Sequence, residues 1–199
     1  MRRFAVLGNP IEHSKSPEIH RAFAEGCQHD IDYQKVLVEV GDFDRVVNDF
    51  FASGGIGLNV TAPFKGEAFV FAEVHTQDAV DAEAVNTLWR NDEGRVCGHT
   101  TDGSGLVSDL EVNLGWQVAG ANILFLGAGG AMRSILGPLC DCAPASIHVA
   151  NRTPERAEDL VAMFENRGSM TAGGLTAIPD REWSLVINGL SNSWAGDFP

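Results

Sequence analysis

Three lysines in 199 residues, four cysteines with no CxxC among them, and no long apolar run are the first things this sequence withholds. The longest apolar stretches, such as Ile123 to Leu126, fall far short of the roughly 18 residues a bilayer crossing needs. Met1-Arg2-Arg3 leads into too brief an apolar run for a secretory signal, so the chain reads as cytoplasmic, with no membrane partner. Cys27, Cys97, Cys140 and Cys142 read as reduced thiols, and the six histidines form neither HExxH nor any other spacing for tetrahedral zinc, so no metal is expected. Basic charge is scarce as well. Fourteen Lys and Arg against 27 Asp and Glu give a net charge of -13, shared between the two halves. A nucleic-acid partner needs a concentrated basic face, and none is present, so any anionic ligand must be held by a few local donors.

What is present is a steady alternation of strand and helix patterns. Phe4 to Leu7 reads as a short buried strand, and Val36, Val38 and Val40 alternate as a second. Phe43, Val46, Val47, Phe50 and Phe51 fall on one face of an amphipathic helix. Ile56, Leu58 and Val60 alternate again, while Ala84 to Trp89 and Arg95 to Gly98 bracket a hairpin turn at Asn91-Asp92-Glu93-Gly94. After Gly120 the pattern changes: Ile123 to Leu126 is continuously apolar, as a strand covered on both faces should be. It runs into Gly127-Ala128-Gly129-Gly130 and a helix ending near Leu139. Ile147 to Ala150, a helix marked by Ala157, Leu160, Val161 and Phe164, and a third strand at Leu185-Val186-Ile187 complete one mononucleotide-binding half of a doubly wound fold. The expected class is α/β: a three-layer α/β domain over residues 1–101, then an incomplete Rossmann-type nucleotide domain over 102–199, opened by a helix from about Asp102 to Leu114.

A strand feeding a glycine turn and then a helix lets backbone N–H groups approach a pyrophosphate at the positive end of the helix dipole. Gly127 and Gly129 fit the first two glycines of GxGxxG, but Met132 stands where the third position wants Gly or Ala. At the close of the next strand, Asn151-Arg152-Thr153 offers no acid for a ribose 2'-hydroxyl and a guanidinium suited to a 2'-phosphate, which points to NADP. In the first domain, Ser16-Pro17 reads as a helix start with the Ser16 hydroxyl as its N-cap. That leaves Ser14 unexplained, whereas two hydroxyls beside a positive helix terminus would receive a small carboxylate. Thr61, Lys65 and Asn86 follow strand patterns, and Asp102 lies at the inferred junction; an amine and a carboxylate could together relay a proton to a carbonyl oxygen.

Taken in order, Gly8-Asn9-Pro10-Ile11-Glu12-His13-Ser14-Lys15-Ser16-Pro17, Asn59-Val60-Thr61-Ala62-Pro63-Phe64-Lys65, Asn86-Thr87, Thr101-Asp102-Gly103 and Gly127-Ala128-Gly129-Gly130-Ala131 closely resemble the shikimate dehydrogenase family. The resemblance implies reversible NADPH-dependent reduction of 3-dehydroshikimate to shikimate, on the chorismate route to aromatic amino acids, by a monomer or homodimer. It implies Lys65 and Asp102 as the catalytic pair; Ser14 and Ser16 for the substrate carboxylate; Thr61, Asn86 and Asp102 for ring hydroxyls. Gly127, Ala128, Gly129, Gly130 and Ala131, with Asn151, Arg152 and Thr153, would hold NADP. Departures from the family pattern are Arg21 and Thr100, each where Asn is usual, and Asn188-Gly189-Leu190 where Asn-Ala-Thr is usual. Family members also continue past the position of Pro199, through further sheet, a final helix and a glutamine that contacts the substrate. The sequence therefore reads as a shortened chain with an unpaired sheet edge. Two other readings are a quinate/shikimate dehydrogenase using NAD, and a truncated, inactive shikimate-binding protein.

Overall fold

A computed structural model describes residues 1–190. The chain divides after Thr100 into two compact units.

The first unit is built on a six-stranded mixed sheet. Its strands are β1 (Arg2–Gly8), β2 (Ile31–Leu37), β3 (Gly57–Val60), β4 (Val74–His75), β5 (Thr87–Arg90) and β6 (Val96–His99), in spatial order β2-β1-β3-β5-β6-β4. β1 is parallel to both β2 and β3, whereas β5 runs antiparallel to β3 and β6. The helices are α1 (Ser16–Gly26), α2 (Phe43–Ala52), α3 (Lys65–Phe71) and α4 (Gln77–Ala82). Ala5 and Leu7 of β1 join Leu58, Leu88, the α2 stripe Phe43, Val47 and Phe51, and Phe64 in the main core; Val6 joins Ile11 and Tyr33 in a separate cluster. Neighbouring residues of one strand thus feed two cores, the expectation for alternate side chains on a central strand covered on both faces. α2 forms where the amphipathic stripe predicts it.

Two strand assignments need correction. The second strand is Ile31–Leu37, not the Val36-Val38-Val40 alternation; Val38 is buried beyond its end and Val40 is exposed. Gln34 and Lys35 are exposed on this edge strand and Asp32 is half-buried, so its one fully buried side chain is Tyr33. The hairpin's first strand begins at Thr87, not Ala84, because Ala79 and Lys65 carbonyls take the N–H groups of Ala84 and Val85.

The second unit opens with α5 (Asp102–Ser108), which runs into one π-helical turn over Asp109–Asn113. A parallel sheet follows, of β7 (Asn122–Leu126), β8 (Ser146–Asn151), β9 (Met170–Gly174) and β10 (Leu185–Asn188), in order β10-β7-β8-β9, with α6 (Gly130–Asp141) and α7 (Pro154–Ala162) between strands. Leu185–Ile187 is therefore the fourth strand of this sheet; β9, rich in Gly and Thr, is the third. α5 packs on α6 through Gly103, where a Cβ would lie 2.4 Å from the Ser134 carbonyl oxygen. Pro138, four residues after Ser134, has no N–H to give that carbonyl, and Gly103 leaves room beside it. No helix among the described residues is long and apolar enough to cross a membrane.

Candidate active site

In the first unit the topology brings three of the expected site residues, Thr61, Lys65 and Asn86, to one sheet edge. β1 and β3 are parallel, so their carboxyl ends lie together; β5 is antiparallel, so its start arrives at the same edge. There the Val60 N–H donates to the Asn86 carbonyl at 2.8 Å, the Thr61 N–H to the Leu7 carbonyl at 2.9 Å, and the Val85 N–H to the Lys65 carbonyl at 2.9 Å. Gly8 is required at this crossing, because a Cβ would lie 2.5 Å from Cγ2 of Thr61. The loops after β1 and β3 are tied by the Asn9 N–H to the Ala62 carbonyl at 3.1 Å, and the peptide bonds before Pro10 and Pro63 are both cis. Of the other two lysines, Lys15 pairs with Glu18 at 3.5 Å and Lys35 donates to the Glu12 carbonyl at 2.6 Å.

Ser16 is not the N-cap. α1 starts at Ser16 itself, and Lys15 occupies the cap position without a side-chain cap bond of its own. The Ser14 hydroxyl accepts the Ser16 N–H at 3.3 Å and donates to the Ser16 hydroxyl at 3.2 Å, which places the two side chains together at the start of α1. The cap reading fails because the chain turns one residue early, and the serine it left unexplained is the one that touches the helix start.

Tyr33, which the motifs passed over, joins motif residues beside this edge. Tyr33, the only tyrosine, is buried and donates from its hydroxyl to Oδ1 of Asn59 at 2.6 Å. Nδ2 of Asn59 donates to Oγ1 of Thr87 at 3.1 Å and to the Asn86 carbonyl at 3.2 Å; the Thr87 hydroxyl donates to Oδ1 of Asn86 at 2.9 Å. Burial pushes the Tyr33 phenol well above its usual range, only partly offset by hydrogen bonding with Ser16, so it stays protonated. His20 stacks on the Tyr33 ring at 4.5 Å, and burial lowers its pKa. The sequence signal that marks Tyr33 is its solitude between polar neighbours in an edge strand. Thr100, at a position where the family pattern has Asn, is 2% exposed and its hydroxyl has no hydrogen-bond partner.

Asp102 opens α5 in the second unit, and the nucleotide-site candidates lie in the same unit. Gly127 follows β7 with φ +108, its N–H donating to the Ala150 carbonyl at 2.8 Å; a Cβ there would sit 3.0 Å from backbone atoms of Gly189. Only glycine combines that dihedral with that approach. Ala128 and Gly129 lead into α6, whose first turn, with Gly130 and Ala131, has neither an acidic residue nor a side-chain cap. Its N–H groups suit a phosphate. After β8, Nδ2 of Asn151 donates to the Thr153 carbonyl at 2.9 Å, and Arg152 is exposed with no carboxylate beside it in sequence.

Two departures from the sequence pattern explain each other here. Met132, at the third fingerprint position, is buried, and a Cβ on Gly189 would lie 2.2 Å from its sulfur. The large residue on α6 fills the space that Gly189 leaves empty beyond β10. Close helix–strand approach, which the fingerprint normally secures with a small residue on the helix, is secured here by a small residue after the strand.

These features agree with the comparisons. Residues 6–88 match the model of the shikimate dehydrogenase substrate binding domain, and residues 110–180 that of shikimate / quinate 5-dehydrogenase. A shikimate dehydrogenase (NADP(+)) of Chromobacterium violaceum is 47% identical over 197 residues, covering 99% of this chain and 72% of that protein. The chain belongs to the shikimate dehydrogenase family. A relative of the same name from Cellvibrio japonicus is 47% identical over 98% of this chain and 71% of its own length. Among solved structures, an Ael1 enzyme from Pseudomonas putida superposes with a TM-score of 0.94 at 36% identity, over all of this chain and 73% of that one. The Thermus thermophilus shikimate 5-dehydrogenase in complex with NADP(H) and shikimate gives 0.82 at 30% identity, over 96% of this chain and 69% of that one. The chain thus spans about 72% of the length of the curated relatives it matches.

Proposed function

We propose that Lys65 and Asp102 form the proton-transfer pair of an NADP-dependent shikimate dehydrogenase, with Ser14, Ser16, Thr61 and Asn86 holding the substrate. The reaction is the family's reversible reduction of 3-dehydroshikimate to shikimate, a step of aromatic amino acid biosynthesis. The observation that carries this reading is the single sheet edge at which Thr61, Lys65 and Asn86 are hydrogen-bonded through their backbones. NADPH, when bound, supplies the hydride. In that direction Lys65, as ammonium, gives its proton to the carbonyl oxygen as the carbon is reduced, and Asp102 accepts from a ring hydroxyl. Ser14 and Ser16, at the start of an eleven-residue helix, present hydroxyls to the carboxylate of the substrate.

The nucleotide side fits the cofactor. The Gly127 turn is a cradle that a Cβ would fill, and the first turn of α6, over Gly130 and Ala131, offers uncapped N–H groups to the pyrophosphate. Asn151, Arg152 and Thr153 would hold the 2'-phosphate. The absence of an acid in that triplet disfavours the NAD-using quinate/shikimate reading. Free thiols at Cys27, Cys97, Cys140 and Cys142 support a cytoplasmic placement; burial pushes the Cys140 thiol up to about 11.

The test is Lys65→Ala, assayed by NADP reduction on addition of shikimate. Turnover should fall about 10²- to 10⁴-fold, the usual share of a general acid, while shikimate titrated calorimetrically still binds. Undiminished turnover would remove Lys65 from the mechanism, and an unmutated protein that binds shikimate without turning it over would favour the inactive binding protein.

A further inference from the structure

α5 holds two glycines, Gly103 and Gly105, and neither has the positive φ that would demand glycine. Glycine inside a helix is costly relative to alanine, so contact has to explain its place there. At Gly105 a Cβ would meet open space; at Gly103 it would lie 2.4 Å from the Ser134 carbonyl oxygen and 2.6 Å from Cγ of Pro138. The first value is about 1 Å short of ordinary van der Waals contact, and the atom it meets is backbone that cannot rotate away. Any side chain at residue 103 therefore drives α5 off α6. On α5 the residue before this contact is Asp102. On α6 Ser134 stands one turn beyond Gly130, about 6 Å along the axis, and its hydroxyl donates to the Gly130 carbonyl at 3.1 Å. One close contact thus joins the helix that opens with Asp102 to the helix whose first turn is the proposed phosphate cradle.

We propose that Gly103 is a positioning residue for hydride transfer: by letting α5 seat on the Ser134 carbonyl, it sets the distance between Asp102, with the substrate it holds, and the cofactor carried by α6. The inference rests on Asp102 being a substrate group and on α6 receiving the pyrophosphate, as proposed above. Gly103 touches neither molecule in this scheme. Pro138 takes part, because its ring leaves the Ser134 carbonyl without the N–H of the next turn, and that oxygen is the surface on which Gly103 rests. A reacting pair displaced by about 1 Å loses on the order of 10²-fold in rate, the effect expected when this contact is widened.

The experiment compares Gly103→Ala, Pro138→Ala, their double variant, Asp102→Asn and Leu160→Ala for kcat, for NADP Kd by fluorescence titration and for stability in urea. Gly103→Ala should lower kcat about 100-fold with NADP Kd within about twofold. It should also raise the deuterium isotope effect on kcat, measured with shikimate labelled at the carbon that gives up hydride. Leu160→Ala, which opens a cavity under α7, should lose stability while kcat and the isotope effect stay as in the parent. In the double variant residue 138 loses its ring and regains an N–H for the Ser134 carbonyl, so about tenfold of the lost kcat should return, whereas Pro138→Ala alone stays within about twofold of the parent. In urea the two single losses should not add, since both act at one contact. If Asp102→Asn turns over normally, the substrate-group reading fails and the positioning role falls with it. If Asp102→Asn is slow but Gly103→Ala keeps the parental kcat, or the double variant is no faster than Gly103→Ala, the positioning role alone is overturned. Should Gly103→Ala not fold, the double variant decides, and a parental kcat there overturns the proposal.

Discussion

Each unit of the molecule buries an aromatic side chain with polar atoms beneath its sheet, and the two are treated differently. Tyr33 in the first unit is 2% exposed and its hydroxyl is engaged by Asn59 at 2.6 Å. His148 on β8 of the second unit is 3% exposed; Nδ1 lies 2.7 Å from the Thr171 hydroxyl, but Nε2 is buried without a partner. Trp183 leans over it at 6.0 Å, and the Arg181 guanidinium stacks on that indole at 4.1 Å. The difference follows from what each candidate site is made of. In the first unit the proposed substrate groups are side chains near strand ends, and Asn59, Thr87 and Tyr33 hydrogen-bond beside one of them. In the second the proposed cofactor groups are backbone N–H groups of a glycine turn, which the fold itself orients without a buried side-chain hydrogen bond.

The sharpest way to break this contrast is Gly127→Ala. The left-handed backbone there costs a side chain about 1–3 kcal/mol, and the Cβ meets the Gly189 backbone at 3.0 Å. NADP binding, followed by titration of cofactor fluorescence, should weaken about 100-fold while shikimate affinity is kept; unchanged NADP affinity would mean that the turn is not the cofactor cradle. A second measurement concerns the reciprocal pair. Gly189→Ala alone should cost about 1–3 kcal/mol by overpacking, and Met132→Ala alone about 2–5 kcal/mol by cavity formation. The double variant, measured by urea unfolding, should be more stable than the sum of the two losses requires; strict additivity would show that Met132 does not fill that space.

The smallest effect is in pH. Burial, aided by the nearby positive charge of Arg181, holds His148 below its ordinary 6.5, so the folded protein keeps it neutral where the unfolded chain takes up a proton. Stability from this group is complete above about pH 6.5 and is lost as pH falls below it. His20, lowered by burial against Tyr33, acts with the same sign in the first unit. His148→Gln should flatten the decline in unfolding free energy between pH 6.5 and 5.5 by about 1 kcal/mol at most. If the decline is unaltered, His148 is not a source of it.

How much of this was legible beforehand varies with the physics of each element. α2 could be read directly, because Phe43, Val47 and Phe51 repeat with the helical period and are all buried. β7 could be read too, as a strand apolar on both faces. β2 and β9 escaped: both lie at sheet edges, one largely polar and one rich in glycine, so their backbone pairing is their main reason to be strands. Ser14, Ser16, Thr61, Lys65 and Asn86 were visible as motif residues, but the role given to Ser16 as a cap was wrong by one turn position.

Local pattern by itself pointed to the α/β class, the glycine turn and a 2'-phosphate, since each depends on residue types at short spacings; the family came from the resemblance that several motifs in order carry. Only the tertiary structure decided that Tyr33 stands behind Asn59, 26 residues away, and that Met132 and Gly189 are partners. Those pairings depend on the strand order β2-β1-β3 and on the packing of α6 over the sheet. No local periodicity encodes them, because the distances that matter run across the strands and not along the chain.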